Sequence, residues 1–267
     1  MRGRSVEPIS IHWYFAAAVS DHQKMFCPVC CWSGNITAIC LFTSPVPTFS
    51  KIVKKKTVAE FSGIPYVCTL LNCLLWVVYG LPIVEFQVLV ISINAAGCLI
   101  EFTYLALYLT YAQKSIRMKV MKVLMAVLIT FIAVTILVLE LVHDKKKRKL
   151  IIGTLCAVFA VGMYVSPLTV MKMVIQTRSV KYMPFLLSLF NFINGLVWFG
   201  YAFFGGIDIF IAIPNGLGAL SGIAQLALYA FYRNATPRDE DEKDGPTKPT
   251  NNSIEMEKND TYKQSNV

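Results

Sequence analysis

Apolar residues along this chain fall in long unbroken runs, and the charged residues collect in short clusters between them. A helix rises about 1.5 Å per residue and a bilayer's hydrocarbon core is about 30 Å thick, so a spanning helix needs about 20 apolar residues. Six stretches meet that requirement: Ile64–Leu81, Val88–Leu109, Val123–Val142, Leu150–Met171, Phe185–Phe204 and Ile209–Tyr232. A weaker seventh lies near Met25–Pro47. The pattern predicts an all-α transmembrane protein of seven helices. Its loops are short, at Lys51–Phe61, Ala112–Lys122, His143–Lys149, Met173–Met183 and Gly205–Asp208. Ile11–Ser20 is apolar but too short to span, and no convincing signal-peptide cleavage site follows it. From Arg233 onward the composition turns to Asp, Glu, Lys, Pro, Asn and Thr, which cannot bury a core.

Composition agrees. Of 267 residues, 55% are hydrophobic and 15% charged, against about a quarter charged in a soluble domain, and the mean hydropathy is +0.55. The net charge of +9 raises the question of a nucleic-acid partner, but the basic residues sit at helix ends and orient the chain in a membrane instead. Lys51, Lys54, Lys55 and Lys56 follow helix one, Lys114, Arg117, Lys119 and Lys122 follow helix three, and Lys172, Arg178 and Lys181 follow helix five. With seven helices these loops share a side with the C-terminus. The positive-inside rule makes that side cytoplasmic and the N-terminus external or lumenal. Lys145 to Lys149, between helices four and five, contradict the rule.

The cysteines form no disulfide framework, because Cys40, Cys68, Cys73, Cys98 and Cys156 lie inside apolar runs. Cys27, Cys30 and Cys31 make a C-x-x-C-C cluster with His22 as the near imidazole, a poor fit to the four ligands zinc takes. No metal, cofactor or enzymatic activity is expected. His12, His22 and His143 lie outside the helix interiors, and no Gly-rich phosphate loop occurs. The sequons at Asn234, Asn251 and Asn259 follow the last helix and are usable only if that tail faces the lumen.

The chain also repeats itself. Setting Ser44-Pro45 over Ser166-Pro167, an offset of 122 residues, brings Thr57-Val58 onto Ser179-Val180, Asn72 onto Asn194, Trp76 onto Trp198 and Tyr79 onto Tyr201. With one residue of slippage, Ile93-Asn94-Ala95-Ala96-Gly97 matches Pro214-Asn215-Gly216-Leu217-Gly218. Each unit holds three helices and an odd helix joins them, so the two units have the same orientation. This is a parallel repeat about an axis along the membrane normal. The expected divisions are an atypical N-terminal segment (1–24), a first three-helix repeat (25–111), a linker helix (118–142), a second three-helix repeat (150–232) and a disordered cytoplasmic tail (233–267).

Asn94 and Asn215 lie midway along helices three and seven, where an amide must face protein, water or ligand. Either alone reads as interhelical glue. Their equivalent depth in both repeats points to a shared central site, and an amide's donor and acceptor suit a neutral polyhydroxyl ligand. Trp76 and Trp198 lie more than a turn inside their runs, with Asn72 and Asn194 four residues earlier on the same face. A carbohydrate site and a tight helix–helix seam explain these four equally well. Pro45 and Pro167 occupy corresponding places near the cytoplasmic ends of helices one and five, and Pro65 and Pro184 start helices two and six. The latter pair suits any helix's first turn. Together the four can act as gating hinges, since proline within a helix removes a hydrogen bond and bends the axis. At the opposite end Tyr79 and Asp208 can close the path by a hydrogen bond. Glu101, the carboxylate well inside a span, suits a proton relay less well than a pairing with a neighbouring helix.

These residues resemble the SWEET sugar facilitators of plants, the MtN3/saliva type within the PQ-loop group. The likeness runs from about Gly34 to Tyr232 through G-N-x-T-A, S-P-V-P-T-F, G-I-P-Y, T-L-L-N-C-L-L-W-V-V-Y-G-L-P, Y-V-S-P-L-T-V-M-K-M-V-I-Q-T-R-S-V-K-Y-M-P and A-I-P-N-G-L-G. The resemblance implies a 3+1+3 helix fold and energy-independent, bidirectional sugar uniport by alternating access. It implies sugar contacts at Asn94, Asn215, Trp76 and Trp198, an intracellular tetrad of Pro45, Pro65, Pro167 and Pro184, and an extracellular gate of Tyr79 and Asp208. Asn72 and Asn194 stand where sucrose-preferring members tend to carry smaller residues, so a hexose such as glucose or fructose is expected over sucrose. It further implies a multi-pass protein of the plasma membrane, or alternatively of the vacuolar or another endomembrane, that forms homo- or hetero-oligomers with related transporters. Residues before Gly34, including Lys24, Pro28 and the cysteine cluster, depart from the family's usual first helix. A seven-helix receptor shares the helix number but is not expected to contain the repeat. A proton-coupled PQ-loop exporter is expected to carry Pro-Gln pairs where this chain has Ser-Pro, Ile-Pro and Met-Pro.

Overall fold

The computed structural model describes residues 28–58, 61–203 and 206–235, without the side chains of 28–32. The expectations for residues 1–24, for the cysteine cluster and for most of the tail fall outside it. Among the described residues there are nine helical segments and no strand. They are α1 (Pro28–Thr43), α2 (Val46–Lys55), α3 (Ile64–Gly80), α4 (Val88–Tyr111), α5 (Lys114–Leu141), α6 (Lys145–Gly162), α7 (Val165–Thr177), α8 (Phe185–Tyr201) and α9 (Ile209–Tyr232). Two pairs are single spans with a break, α1 with α2 and α6 with α7, which leaves seven spans in the order 3+1+3.

Five stretches are long and apolar enough to cross a membrane: Ser33–Lys55, Val88–Tyr111, Lys114–Leu141, Lys145–Thr177 and Ile209–Tyr232. The apolar helices Ile64–Gly80 and Phe185–Tyr201 are shorter. Leu99, Ile132, Leu141, Leu220 and Phe231 are exposed on the outside of the bundle. Water does not tolerate so much contiguous apolar surface, but hydrocarbon does. This is a membrane protein.

The helices run further than the hydrophobic pattern alone indicates. The fourth span starts at Lys114 rather than Val123, the fifth at Lys145 rather than Leu150, and the first continues past Pro47 to Lys55. Lysine and arginine are good helix formers, and their long stems let a helix project beyond the hydrocarbon. The expected loops at 112–122 and 143–149 therefore shrink to a few residues. The described residues ahead of Gly34, from Pro28 onward, are already helical.

Pro45 stands at the break between α1 and α2, and Pro167 lies in the first turn of α7, just after the second break. A proline cannot donate to the carbonyl four residues back. Here those carbonyls, on Leu41 and Met163, are met by the preceding serines: Ser44 N–H reaches the Leu41 oxygen at 3.1 Å and Ser166 N–H the Met163 oxygen at 3.3 Å. Each three-residue turn satisfies what the proline frees. The spans also end alike. Lys56 and Arg178, again 122 apart, both take the left-handed conformation with φ 51 and cap α2 and α7.

Within each repeat the third span meets the first and the second through small residues. Gly97 faces the ring of Phe42, and its counterpart Gly218 faces the ring of Tyr164, itself the counterpart of Phe42. In the first repeat the Cys73 and Cys98 side chains lie beside each other. The corresponding residues of the second repeat are Gly195 and Ala219, and a Cβ added to Gly195 would lie 2.6 Å from the Ala219 backbone nitrogen. Backbone yields little, so the α8–α9 seam depends on that missing atom. Gly200, on the same helix, has nothing within 4 Å of an added Cβ. Gly195→Ala is therefore expected to destabilise the protein by about 1–3 kcal/mol. Gly200→Ala is expected to be neutral or slightly stabilising. Thermal unfolding in detergent compares them, and equal melting temperatures would contradict the tight seam.

Candidate functional site

The backbones of both repeats deliver their polar residues to one place. Asn72, Trp76, Asn194 and Trp198 come from α3 and α8, and Asn94 and Asn215 from α4 and α9. All six line a single cavity of about 360 Å³ between the repeats. Ala38, Leu41 and Phe42 from α1 and Pro167 from α7 complete its wall with others. The two central amides are held identically. Asn94 Nδ2 donates to the Val90 oxygen at 2.8 Å, and Asn215 Nδ2 donates to the Ile211 oxygen at 2.9 Å. Each spends an N–H on its own helix, which fixes the rotamer and leaves the amide oxygen for the cavity.

The outer pair of amides is not symmetric. Thr37 Oγ1 lies 3.3 Å from Asn194 Oδ1, but this hydroxyl shares its single O–H with the Ser33 and Gly34 oxygens at 2.9 and 3.1 Å. The residue corresponding to Thr37 in the second repeat is Phe159, which has no hydroxyl to offer Asn72. Asn72 Oδ1 is accordingly buried with no hydrogen-bond partner. A buried carbonyl oxygen left unmet costs about 1–3 kcal/mol. In a cavity wall, that cost is relieved by a ligand or water that donates to it.

Among the lining residues that escaped sequence reasoning are Asn191, Tyr164 and Met163. Asn191 has Thr69 as its repeat counterpart, so no matched amide pair marked it. Tyr164 and Met163 lie at the break between α6 and α7. Tyr164 donates to the Pro214 oxygen at 2.6 Å, one residue before Asn215. That bond braces α9 where its internal proline removes a ladder hydrogen bond. Of the four prolines, Pro167 lines this cavity and Pro65 lines a neighbouring apolar groove, while Pro45 and Pro184 are the N-caps of α2 and α8. Glu101 does not find the partner its sequence position suggested: Oε2 is buried without a hydrogen bond.

Towards the α3–α4 end, the cavity is capped by aromatic rings and then by a polar cluster. Trp76 packs edge-on to Tyr79 at 5.5 Å, and Trp198 packs edge-on to Tyr201 at 5.2 Å. Tyr79, fully buried, donates to Asp208 Oδ2 at 2.5 Å. Tyr201 donates to Gln87 Oε1 at 3.3 Å, and Gln87 Nε2 donates to Asp208 Oδ2 at 3.1 Å. Gln87 and Asp208 are the N-caps of α4 and α9 and correspond once the one-residue slip is counted. The backbone shows where the slip lies. Gln87 N–H bonds the Gly80 oxygen and Asp208 N–H bonds the corresponding Ala202 oxygen, so the extra residue belongs to the loop between. Each tyrosine thus crosses to the other repeat's cap residue. No group of three or more His, Cys, Asp or Glu able to hold a metal occurs among the described residues.

Known proteins resemble this chain in sequence and in fold. The MtN3/saliva family, described as "Sugar efflux transporter for intercellular exchange", matches residues 28–116 and 150–237. Rice (Oryza sativa subsp. japonica) bidirectional sugar transporter SWEET4 is 51% identical over 204 residues, covering 76% of this chain and 78% of the relative. Arabidopsis thaliana SWEET5 is 46% identical over 225 residues, covering 84% and 93%. A solved eukaryotic SWEET transporter superposes with a TM-score of 0.74 at 38% identity, covering 77% of this chain and 96% of that one. The first matched block starts at residue 28, ahead of Gly34, where the described residues are already helical. With both halves matched and the same helical arrangement in a solved relative, the chain belongs to the SWEET (MtN3/saliva) family of transporters.

Proposed function

We propose that this chain is an energy-independent, bidirectional sugar uniporter that works by alternating access and prefers a hexose such as glucose or fructose. The relatives just described are named bidirectional sugar transporters. The observation that carries the reading is the cavity wall itself. It pairs two tryptophan faces with four amides from equivalent positions, one of whose oxygens is buried and unmet. Amides donate and accept but carry no charge, so they match hydroxyls and reject nothing for lack of an ionic group. The tryptophan faces suit the C–H surface of a pyranose ring. A volume of about 360 Å³ is at the lower end of small-molecule sites, which run from about 300 to 1,000 Å³. Asn72 and Asn194 narrow it further than smaller side chains would, and this favours one sugar ring over two.

In this mechanism Asn94, Asn215, Asn72, Asn194, Trp76 and Trp198 hold the sugar. Pro45, Pro65, Pro167 and Pro184 serve the inner gate, and Tyr79 with Asp208 serves the outer gate. The turns at Ser44-Pro45 and before Ser166-Pro167 are the natural hinges, because bending there breaks no further helix ladder. The protein sits in the plasma membrane with its N-terminus outside, its C-terminus cytoplasmic, and assembles with copies of itself or related transporters. Lys51, Lys54, Lys55, Lys56 and Arg178 lie at the ends assigned to the cytoplasm.

Radiolabelled glucose and sucrose uptake in a transport-deficient cell tests the reading. Each central amide contributes hydrogen bonds worth about 1–3 kcal/mol in a dry site. Asn94→Ala and Asn215→Ala are each expected to lower glucose flux about 10- to 100-fold at equal surface expression. Undiminished flux in both variants would sink the site assignment. Collapse of the pH gradient is expected to leave the flux unchanged, and a loss of flux would contradict uniport. The paired change Asn72→Ser with Asn194→Ser is expected to raise the sucrose-to-glucose ratio. An unchanged ratio would show that these two amides do not set the size limit.

A further inference from the structure

The basic run Lys145 to Lys149 is out of place twice over. It lies on the side opposite the other basic loops, and it occupies the first turn of α6, where the helix dipole disfavours cations. Two of its members explain why it persists. Arg148 donates through Nε to the Val142 oxygen, through Nη2 to the Leu139 oxygen at 2.9 Å and through Nη1 to the Ile83 oxygen at 3.4 Å. It thereby meets carbonyls at the end of α5 that would otherwise lack partners. Lys149 Nζ lies 3.3 Å from Glu85 Oε2 and 3.3 Å from Asp208 Oδ2.

The second contact places Lys149 in the polar cluster that closes the cavity. Asp208 is buried, and its Oδ1 caps α9 by accepting from the Phe210 and Ile211 N–H groups. Its Oδ2 receives Tyr79 and Gln87. A carboxylate held away from water needs a cation, and among the described residues Lys149 is the one that reaches it. The repeat emphasises the point: the corresponding cap residue, Gln87, is neutral, so of the two cap residues only Asp208 has a charge to balance. The first contact crosses the molecule. Lys149 belongs to α6, whereas Glu85 belongs to the loop between α3 and α4 of the first repeat. Lys149 therefore joins the two repeats at the closure through charge, beside the neutral tyrosine and glutamine bonds.

We propose that Lys149 is an ionic latch, a positioning residue that biases the outer gate towards its closed state by bridging Glu85 and Asp208. This rests on the reading of Tyr79 and Asp208 as that gate. Opening moves the repeats apart at this end and breaks the Lys149–Glu85 bridge, while Lys149 and Asp208 travel together. The bridge lies partly in water, since the Lys149 and Glu85 side chains are 29% and 40% exposed. It is accordingly weakened by salt.

The test uses the full chain carrying Ile93→Cys, a cavity-lining reporter, in right-side-out membranes. A charged, membrane-impermeant methanethiosulfonate is added from outside, and labelling above that of the chain without the reporter gives the rate of outer opening. Lys149→Gln and Glu85→Gln are each expected to raise that rate about three- to tenfold. The double variant is expected to go no further than Lys149→Gln alone, because both changes break one bridge. Lys149→Arg, which keeps the charge, is expected to label at close to the wild-type rate. Raising salt should accelerate labelling of the wild type more than that of Lys149→Gln. Glu85→Gln alters a half-exposed loop residue, so it decides the matter even if Lys149→Gln does not fold. Wild-type labelling in both glutamine variants, with faster labelling in Tyr79→Phe, would overturn the latch and leave the gate standing. Wild-type labelling in Tyr79→Phe and Asp208→Asn as well would overturn the gate, and the latch with it.

Discussion

In hydrocarbon a backbone carbonyl that loses its partner cannot turn to water, and each unmet group costs several kcal/mol. A transporter nevertheless needs points where a helix can bend. Here that conflict is met at Leu41 and Met163, whose carbonyls are abandoned by Pro45 and Pro167 and taken up by the N–H groups of Ser44 and Ser166. The serine before each proline is thus part of the same device. It converts a break that would be prohibitive in lipid into a three-residue turn with no unmet carbonyl at that position. The second break adds Tyr164, which reaches across to the Pro214 oxygen and ties the bent span to the helix that carries Asn215. A bend at the break and the position of a cavity amide are therefore mechanically connected.

The two repeats share a plan and differ in its terms. Paired asparagines, tryptophans and tyrosines, paired left-handed caps at Lys56 and Arg178, and paired glycines at 97 and 218 all follow one offset with a single slip. Where the pairs diverge, the divergence is local and chemical. Thr37 puts a hydroxyl within reach of Asn194, while Phe159 leaves Asn72 unmet. Cys73 and Cys98 keep two helices at a thiol's distance, where Gly195 and Ala219 let them meet at the backbone. Gln87 closes one side of the polar cluster neutrally, and Asp208 closes the other with a charge. A sugar has no twofold axis, so a site built by duplication has reason to lose its symmetry where it touches the ligand and the gate.

The same contrast explains what could be read from the sequence. Span number, order and orientation of the units were legible because hydrophobic runs and identical paired residues are visible without coordinates. The six cavity residues were legible because each amide and each tryptophan has an identical counterpart. Asn191, Tyr164, Gln87 and Thr37 were not, since their counterparts Thr69, Phe42, Asp208 and Phe159 differ in type, and a search for identity passes over them. Span ends were misplaced wherever lysine or arginine begins a helix, as at Lys114 and Lys145, because charge ends an apolar run without ending a helix. The pairing expected for Glu101 failed for the opposite reason. Its position demanded a partner, but whether a neighbour supplies one depends on side chains from elements distant in sequence.

The basic run before Leu150 shows how a rule's exception can carry information. Orientation rules count lysines and arginines as if each were free to face lipid headgroups or the translocation machinery. Arg148 is committed to backbone carbonyls and Lys149 to two carboxylates, so neither is free in that sense. Once they are set aside, the run that opposed the orientation shrinks to Lys145, Lys146 and Lys147, and the clusters at 51–56, 114–122 and 172–181 prevail by a wider margin. The reassignment also accounts for a helix start that tolerates cations. Asp144 caps α6 by accepting from the Lys146 N–H at 2.9 Å, and its negative charge offsets part of the dipole cost that the lysines incur. Charge that looks like an orientation signal in a transporter is better sorted first by whether a fixed partner already claims it.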